Sequence, residues 1–268
     1  MITFSRLGRY GNLGNSMFQL AATLGIAAKL NYSVKFPRNP TYFDTNYNCN
    51  NISLFDGFEI DNPVLVNEDY AAIKNHYTEP HFHYDPNAFN ISDNTDIAGY
   101  FQSEKYFSHA RDIVTKAFTF KKEYIEKGNS LFSKYSISPH ETTSLHVRRG
   151  DYVVKQVYHP LQENAYYEAA FKKAKLKNVL VFSDDIEWCK QNIVGNNIFY
   201  SDTNNSFADM YAMSLCKNNI IVNSTFGWWG AWLNSHTDKV VVAPSKWFGP
   251  AYSNVVTTDI IPSQWTII

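Results

Sequence analysis

Two adjacent arginines, Arg148 and Arg149, stand between His146 and Asp151 at the end of a short apolar stretch. A guanidinium forks onto phosphate oxygens and keeps its charge at every working pH. Such a pair suits a diphosphate, whose charge must be neutralised as it departs. The chain holds only six arginines, Arg6, Arg9, Arg38, Arg111, Arg148 and Arg149, so two neighbours form a local positive point in an otherwise balanced sequence. Successive strand residues point to opposite faces, so both reach one ligand only where the chain turns. The alternative is one exposed arginine and one structural ion pair, with Asp151 as the partner, and spacing alone leaves the two open.

Other segments add to this inventory. Ser224-Thr225 opens a helix, where free amides and the helix dipole can seat a phosphate, or where Ser serves as an ordinary N-cap. Ser183-Asp184-Asp185 can accept from a base or ribose, and Asp185 suits capping of the next helix. The Gly8–Gly14 loop, with Gly11, Gly14 and then Asn15, permits close backbone approach or is simply a turn. His146, Asp151, Asp184 and Asp209 have the chemistry of a base. No Asp-x-Asp pair, HExxH, GxGxxG or GxxxxGK[ST] occurs, so neither a metal site nor the common dinucleotide and P-loop fingerprints are expected.

The elements that must position these residues follow from periodicity. A strand over Ile2–Ser5, the glycine loop and a helix from Asn15 make a first βα unit. Residues 31–100 read as short strands and loops, and Ser103–Phe118 and Lys121–Tyr135 as helices. From residue 142 the pattern is regular. Strands are expected at Thr143–Val147, Val179–Phe182, Ile198–Tyr200, Asn219–Val222 and Lys239–Ala243. Helices are expected at Ala165–Leu176, Ile186–Asn192, Phe207–Leu215 and Phe226–Leu233. This alternation predicts an α/β protein with parallel sheet covered on both faces. Ligands of such sheets bind beyond the carboxyl ends of the strands, and the polar segments above all follow strands. A boundary is expected near residues 136–142, giving halves 1–140 and 141–268.

The 268 residues suit one large domain or two small ones, and a net charge of −1 argues against nucleic acid as a partner. Cys49, Cys189 and Cys216, an odd set without CxxC spacing, argue against a disulfide framework and for a reducing compartment. No apolar run reaches a membrane span, and Met17–Ala28 is too interrupted for a signal peptide. Asn223-Ser224-Thr225 is a glycosylation sequon inside the expected site, so the cytoplasm is the expected location. Peripheral membrane contact stays open.

Three segments together resemble one family. Gly11-Asn12-Leu13-Gly14-Asn15-Ser16-Met17-Phe18-Gln19 resembles the GGLGNQMFQ opening of bacterial α-1,2-fucosyltransferases, glycosyltransferase family eleven. His146-Val147-Arg148-Arg149-Gly150-Asp151-Tyr152 resembles its HxRRxDY signature, and Ser224 to Leu233 its SSFSWWGAWL block. Phe182 to Asp185 and Ala243 to Phe248 match in the same order. The resemblance implies a GT-B-type fold of two Rossmann-like halves with parallel sheets, the N-terminal half on the acceptor side and the C-terminal half binding the nucleotide sugar. It implies transfer of fucose from GDP-fucose, a co-substrate, to the 2-hydroxyl of a galactose-type acceptor glycan, inverting and without a metal or other cofactor. Arg148 would bind the diphosphate, supported by Arg149 and His146, with Ser224, Thr225, Phe226 and Gly14 around it and Asp184 at the guanine or ribose. The base is open between Asp151, Asn15 and none. Trp228, Trp229 and Trp232 are expected in the core. Asn12, Ser16, Thr225 and Gly227 depart from the pattern without removing a charge the reaction needs. Two other functions share these features: a transferase of the same fold for another nucleotide sugar, and a non-catalytic glycan-binding protein.

Overall fold

The computed structural model describes the chain except residues 39–40, 45–48, 62 and 175–176. Two compact units form. The first comprises Met1–Asp44, Cys49–Thr119 and Val255–Pro262, and the second includes Phe120–Asn254 and Ser263–Ile268.

In the first unit the chain runs β1 (Ile2–Thr3), α1 (Leu13–Leu30), β2 (Val34–Lys35), β3 (Thr41–Asp44), β4 (Cys49–Ser53), α2 (Leu54–Gly57), α3 (Asn67–Ala72), β5 (Asn75–Thr78), β6 (Thr95–Ala98) and α4 (Arg111–Ala117). The sheet order is β2-β1-β6-β5, every pair parallel, with β3 and β4 forming a separate antiparallel pair. Helix α1 is buried on nearly every face, from Leu13 to Ala27, as expected of an apolar helix with no polar stripe. Gly25 lets the backbone of Tyr106 and Phe107 lie directly on it, since a Cβ there would overlap Tyr106 O. The helix ends at Asn31 in the left-handed conformation (φ 56°). At the carboxyl edge of the sheet, Ser5 N and Oγ both donate to Asp96 of β6, at 2.8 and 2.6 Å, which ties the glycine loop after β1 to its neighbouring strand.

The second unit runs α5 (Lys122–Tyr135), β7 (Thr142–Val147), α6 (Asn164–Ala174), β8 (Asn178–Ser183), α7 (Ile186–Asn192), β9 (Ile198–Tyr200), α8 (Ser206–Leu215), β10 (Asn218–Ile220), α9 (Thr225–Trp232), β11 (Val241–Ala243) and β12 (Thr266–Ile267). Its sheet order is β12-β11-β10-β7-β8-β9, again wholly parallel. The chain builds outward from β7 through β8 to β9, then returns to the other side of β7 as β10. Strand order therefore reverses between β7 and β10, where doubly wound sheets bind ligands. Leu145, Val147, Val179, Val181, Ile220 and Val242 fill the core beneath, against α6 and α7. On the other side Trp228, Trp229 and Trp232 are buried as expected, with Trp228 against Trp265 at 5.4 Å between centroids.

The structure departs from the sequence reading in places. The units change over at Thr119–Phe120 rather than near residues 136–142, because α5 packs on α8. Gly128 admits Ala208 O and the ring of Tyr211, and Tyr124 meets Phe207 at 5.1 Å. The expected helix Ser103–Phe118 is two 3₁₀ turns, Glu104–Tyr106 and Ser108–Ala110, followed by α4, since Phe107 (φ −144°) interrupts the helical path. The helix expected over Ala165–Leu176 is found at Asn164–Ala174, and residues 175–176 lie outside the described residues. Helix α1 starts at Leu13, so Gly14 belongs to its first turn rather than to the loop. Strand β12 is additional to the reading. No helix among the described residues is long and apolar enough to cross a membrane.

Candidate active site

Strand β7 delivers His146 and Val147 to the carboxyl edge, and its register with β8 sets Val147 beside Ser183. Each strand continues into charged residues, so Arg148 and Asp184 arrive together although they are far apart in sequence. Arg148 is 8% exposed; its Nη1 lies 3.0 Å from Asp184 Oδ2 and its Nη2 donates to Asp151 Oδ1 at 2.6 Å. Burial opposes the guanidinium charge, but Asp184, Tyr152 and Asp151 outweigh it and hold its pKa above the ordinary value. Its carbon lies 5.3 Å from the centroid of the Tyr152 ring, in cation–π range.

The Asp184 side chain is only 1% exposed, and its Oδ1 accepts from Arg149 N at 2.8 Å. Burial pushes its carboxyl upward, against the pull of Arg148 and that amide. The carboxylate expected at a guanine or ribose is engaged here beneath Arg148 and on the Arg149 amide. Gly150 makes the approach possible, since a Cβ there would overlap Asp184 Oδ2. Asp151 is a third exposed, bridges to Lys155 at 3.1 Å, and is held below the usual carboxylate range by Arg148 and Lys155 despite partial burial. Low basicity and two cationic partners count against it as a proton acceptor.

Arg149, beyond the end of β7 where the chain enters a 3₁₀ turn, turns elsewhere. Its Nε donates to Asp185 Oδ2 at 3.0 Å and its guanidinium lies over Trp188, 4.0 Å from the ring centroid. Asp185 also caps α7 by accepting from Trp188 N at 3.2 Å, the capping role expected of it. Of the two arginines, therefore, Arg148 has the buried double ion pair, and Arg149 is bound to the start of α7.

His146 is fully buried. Burial, reinforced by Arg148, pushes its pKa down to about 3, so the ring is neutral. Its Nδ1 is buried without a hydrogen-bond partner among the described residues and faces Gly227, where an added Cβ would sit 2.7 Å away. Phe226 packs on the ring at 5.3 Å. Ser224 is the N-cap residue of α9 by backbone conformation, yet its hydroxyl makes no capping bond, so it is not committed to the helix. Ser224, Thr225 and Phe226 thus follow β10 at the reversal point, beside β7, the strand that carries His146.

Further residues take roles here that the sequence did not assign to them. Asn223 is 2% exposed; its Nδ2 donates to Pro160 O and Trp247 O, each at 3.1 Å, while its Oδ1 accepts from Gln162 at 2.9 Å. Tyr152 donates to Asn223 O at 3.1 Å and stacks on His159 at 4.6 Å. Asn223 therefore fastens three loops around the edge. Its position directly before Ser224 was the available signal. A sequon asparagine used this way is closed to glycosylation. Asp209, weighed as a base, is 3% exposed and accepts from Ser201 at 2.5 Å and Thr203 at 2.6 Å, which makes it structural.

In the first unit, Asn15 lies in the opening turn of α1. Its Oδ1 accepts from Gln102 Nε2 at 3.0 Å, and its amide nitrogen lies against Gly11, whose φ of 80° requires glycine. Cys189 and Cys216 are buried free thiols with raised pKa values, consistent with inert core positions. Among the described residues no three His, Cys, Asp or Glu side chains converge as metal ligands.

The family model described as glycosyl transferase family 11 matches residues 9–268. The chain belongs to that family. Among full-length relatives, the O-antigen biosynthesis glycosyltransferase WbnK of Escherichia coli is 29% identical, with 93% of this chain and 96% of the relative covered. An alpha-1,2-colitosyltransferase of Escherichia coli is 28% identical, over 96% of each. Human galactoside alpha-(1,2)-fucosyltransferase 1 is 27% identical over 51% of this chain and 42% of its own. The solved structure of NodZ alpha-1,6-fucosyltransferase with GDP aligns at a TM-score of 0.54 and 16% identity, covering 87% of this chain and 92% of NodZ. POFUT1 in complex with GDP-fucose aligns at 0.57 and 11%, covering 90% and 97%. These neighbours establish the GT-B-type fold. The protein is a family 11 glycosyltransferase.

Proposed function

We propose that this glycosyltransferase moves L-fucose from GDP-fucose to the 2-hydroxyl of a galactose-type glycan, with inversion and without a metal ion. The observation that carries the reading is Arg148, a guanidinium kept charged under burial by two carboxylates at the strand-reversal point of a family 11 fold. A nucleotide diphosphate leaving group needs fixed positive charge that requires no reorganisation as the bond breaks, and Arg148 is fixed on both sides. The Ser224 hydroxyl and the first-turn amides of α9 are the further donors to phosphate oxygens. Two structural neighbours were crystallised with GDP or GDP-fucose, and the human relative transfers fucose to galactosides in α-1,2 linkage. In this reading the second unit takes the nucleotide sugar and the first takes the acceptor, with Asn15 at the reacting hydroxyl. Asp151, paired with Arg148 and Lys155, orients Arg148 rather than accepting the proton.

A second reading is favoured by the colitosyltransferase relative, similar along its whole length: the same machinery acting on another nucleotide-activated sugar. One assay separates the two. GDP release is measured from GDP-fucose with lactose as acceptor, in EDTA, for the wild type and Arg148→Ala. Acceptor-dependent release that persists in EDTA and is lost in the variant supports the fucosyl reading. Thermal stabilisation by GDP without release from GDP-fucose favours the second. Absence of both overturns the donor site.

A further inference from the structure

We infer that Glu79 is a positioning residue for Asn15, acting through the Gly99–Gln102 turn and the side chain of Gln102. The inference rests on the reading that Asn15 meets the reacting hydroxyl.

Glu79 follows β5 directly, and the turn follows β6, its parallel partner, so the two leave the sheet at the same edge. Glu79 Oε2 accepts from Tyr100 N at 2.8 Å and from Phe101 N at 3.0 Å, and Oε1 accepts from Phe101 N at 3.1 Å. The Tyr106 hydroxyl, itself an acceptor from Asp85 N, donates to Oε1 at 3.5 Å. This clamp holds a conformation the chain does not choose freely. Phe101 has φ 52° and Gly99 φ 153°, and a phenylalanine enters the left-handed region only where its surroundings impose it. Gly99 is required as well, because a Cβ there would come within 2.5 Å of Glu79 Cβ and 2.8 Å of its Oε2. Phe101 is locked by Tyr106 and Phe4, at 5.1 and 6.2 Å between centroids. The next residue, Gln102, is 6% exposed and donates its Nε2 to Asn15 Oδ1. That bond fixes which way the Asn15 amide faces, leaving Nδ2, which lies against Gly11, as its donor.

A carboxylate suits the clamp because both oxygens accept; a protonated acid or an amide places a donor on one of them. Burial, against the pull of the Phe101 and Tyr100 amides, Tyr106 and His81, raises the Glu79 carboxyl to about 7. The other ionisable groups around it are Tyr77, Tyr84 and Asp85, and Asp85 is engaged by Tyr77 and Asn87. The clamp is therefore largely charged by pH 8 and weakens as pH falls through about 7.

The test is Glu79→Gln, alone and with Asn15→Ala. Wild-type kcat for GDP release is expected to fall between pH 8 and 6. In Glu79→Gln that acid limb is absent, kcat at pH 8 is about tenfold lower, and GDP stabilisation is unchanged. Adding Glu79→Gln to Asn15→Ala brings no further loss, as coupled residues require. Amide exchange at Tyr100 and Phe101, which needs no substrate, is faster in Glu79→Gln. If that variant fails to fold, Gln102→Leu is measured in its place, with the same lowered kcat and lost acid limb expected. An unchanged acid limb, unchanged amide exchange or fully additive losses overturn the inference, while a lowered kcat in Asn15→Ala leaves the acceptor reading standing. A fully active Asn15→Ala overturns both.

Discussion

At the carboxyl edge of the C-terminal sheet, Arg148 keeps its charge under burial because Asp184 lies beneath it and Asp151 beside it. At the corresponding edge of the N-terminal sheet, Asn15 is held by a neutral partner, Gln102, and the charge that matters, Glu79, sits behind the loop on backbone amides. Both groups follow the first strand of their unit, β7 and β1. In the proposed function the difference is one of task. A site for a leaving diphosphate needs full positive charge fixed in place, and burying that charge requires counter-charges. A site that orients a hydroxyl needs only direction, which an amide supplies once its own orientation is set. Loss of a partner should therefore cost stability and activity together at the first edge, and mainly activity at the second.

The most severe test is Arg148→Ala. It leaves Asp184 buried without its counter-charge, expected to cost about 3–5 kcal/mol in urea denaturation. GDP release should fall by roughly 10²–10³. A variant with wild-type stability would show that Asp184 is accommodated without Arg148, and the contrast between the edges would collapse.

The two units should also differ in the sign of their pH response. His146 has its folded pKa depressed to about 3, below its unfolded value of 6.5, so the unfolded state binds the extra proton and stability falls with pH below about 6.5. Glu79 has its folded pKa raised to about 7 from 4.5, so its contribution is complete below 4.5 and is lost as pH rises towards 7. Each slope is at most about 1.4 kcal/mol per pH unit, and between pH 4.5 and 6.5 they oppose one another. Denaturation across that range should become steeper towards acid in Glu79→Gln and shallower in His146→Gln. Parallel curves would remove both assignments.

Gly227→Ala is expected to cost about 1–3 kcal/mol, because its Cβ meets the His146 ring at a position that packing fixes. Calorimetry showing no fall in Tm would mean that the imidazole can move aside. The smallest stability effect belongs to Asn15→Ala, expected within about 1 kcal/mol, since one hydrogen bond at a partly exposed position is lost. Its kcat should still drop about tenfold, the equivalent of a bond worth about 1.4 kcal/mol in the transition state. Equal losses of stability and rate would make Asn15 structural, like Asp209.

Much of the second unit was legible because its elements are locally consistent. Ile186–Asn192 and Ile198–Tyr200 fall where periodicity places them, and the tryptophans at Trp228, Trp229 and Trp232 could only be core on a helix so apolar. Strands β5 and β6 were not legible, because Asn75-His76-Tyr77-Thr78 and Thr95-Asp96-Ile97-Ala98 are short and largely polar, and only β1 and the neighbouring chain make them strands.

The sequence by itself determined the family, the parallel architecture and the segments that follow the strand ends within each unit, since each is written in contiguous residues: HVRRGDY, the glycine loop with Asn15, and the block from Ser224 to Leu233. Only the tertiary structure decided how those residues divide the work. Arg148 rather than Arg149 has the buried double ion pair because the register of β7 on β8 brings Asp184 beneath it, 36 positions along the chain. Gln102 reaches Asn15 across 87 residues because β6 lies beside β1. Such pairings depend on register and strand order, which are set by the packing of whole sheets and leave no mark in any local pattern.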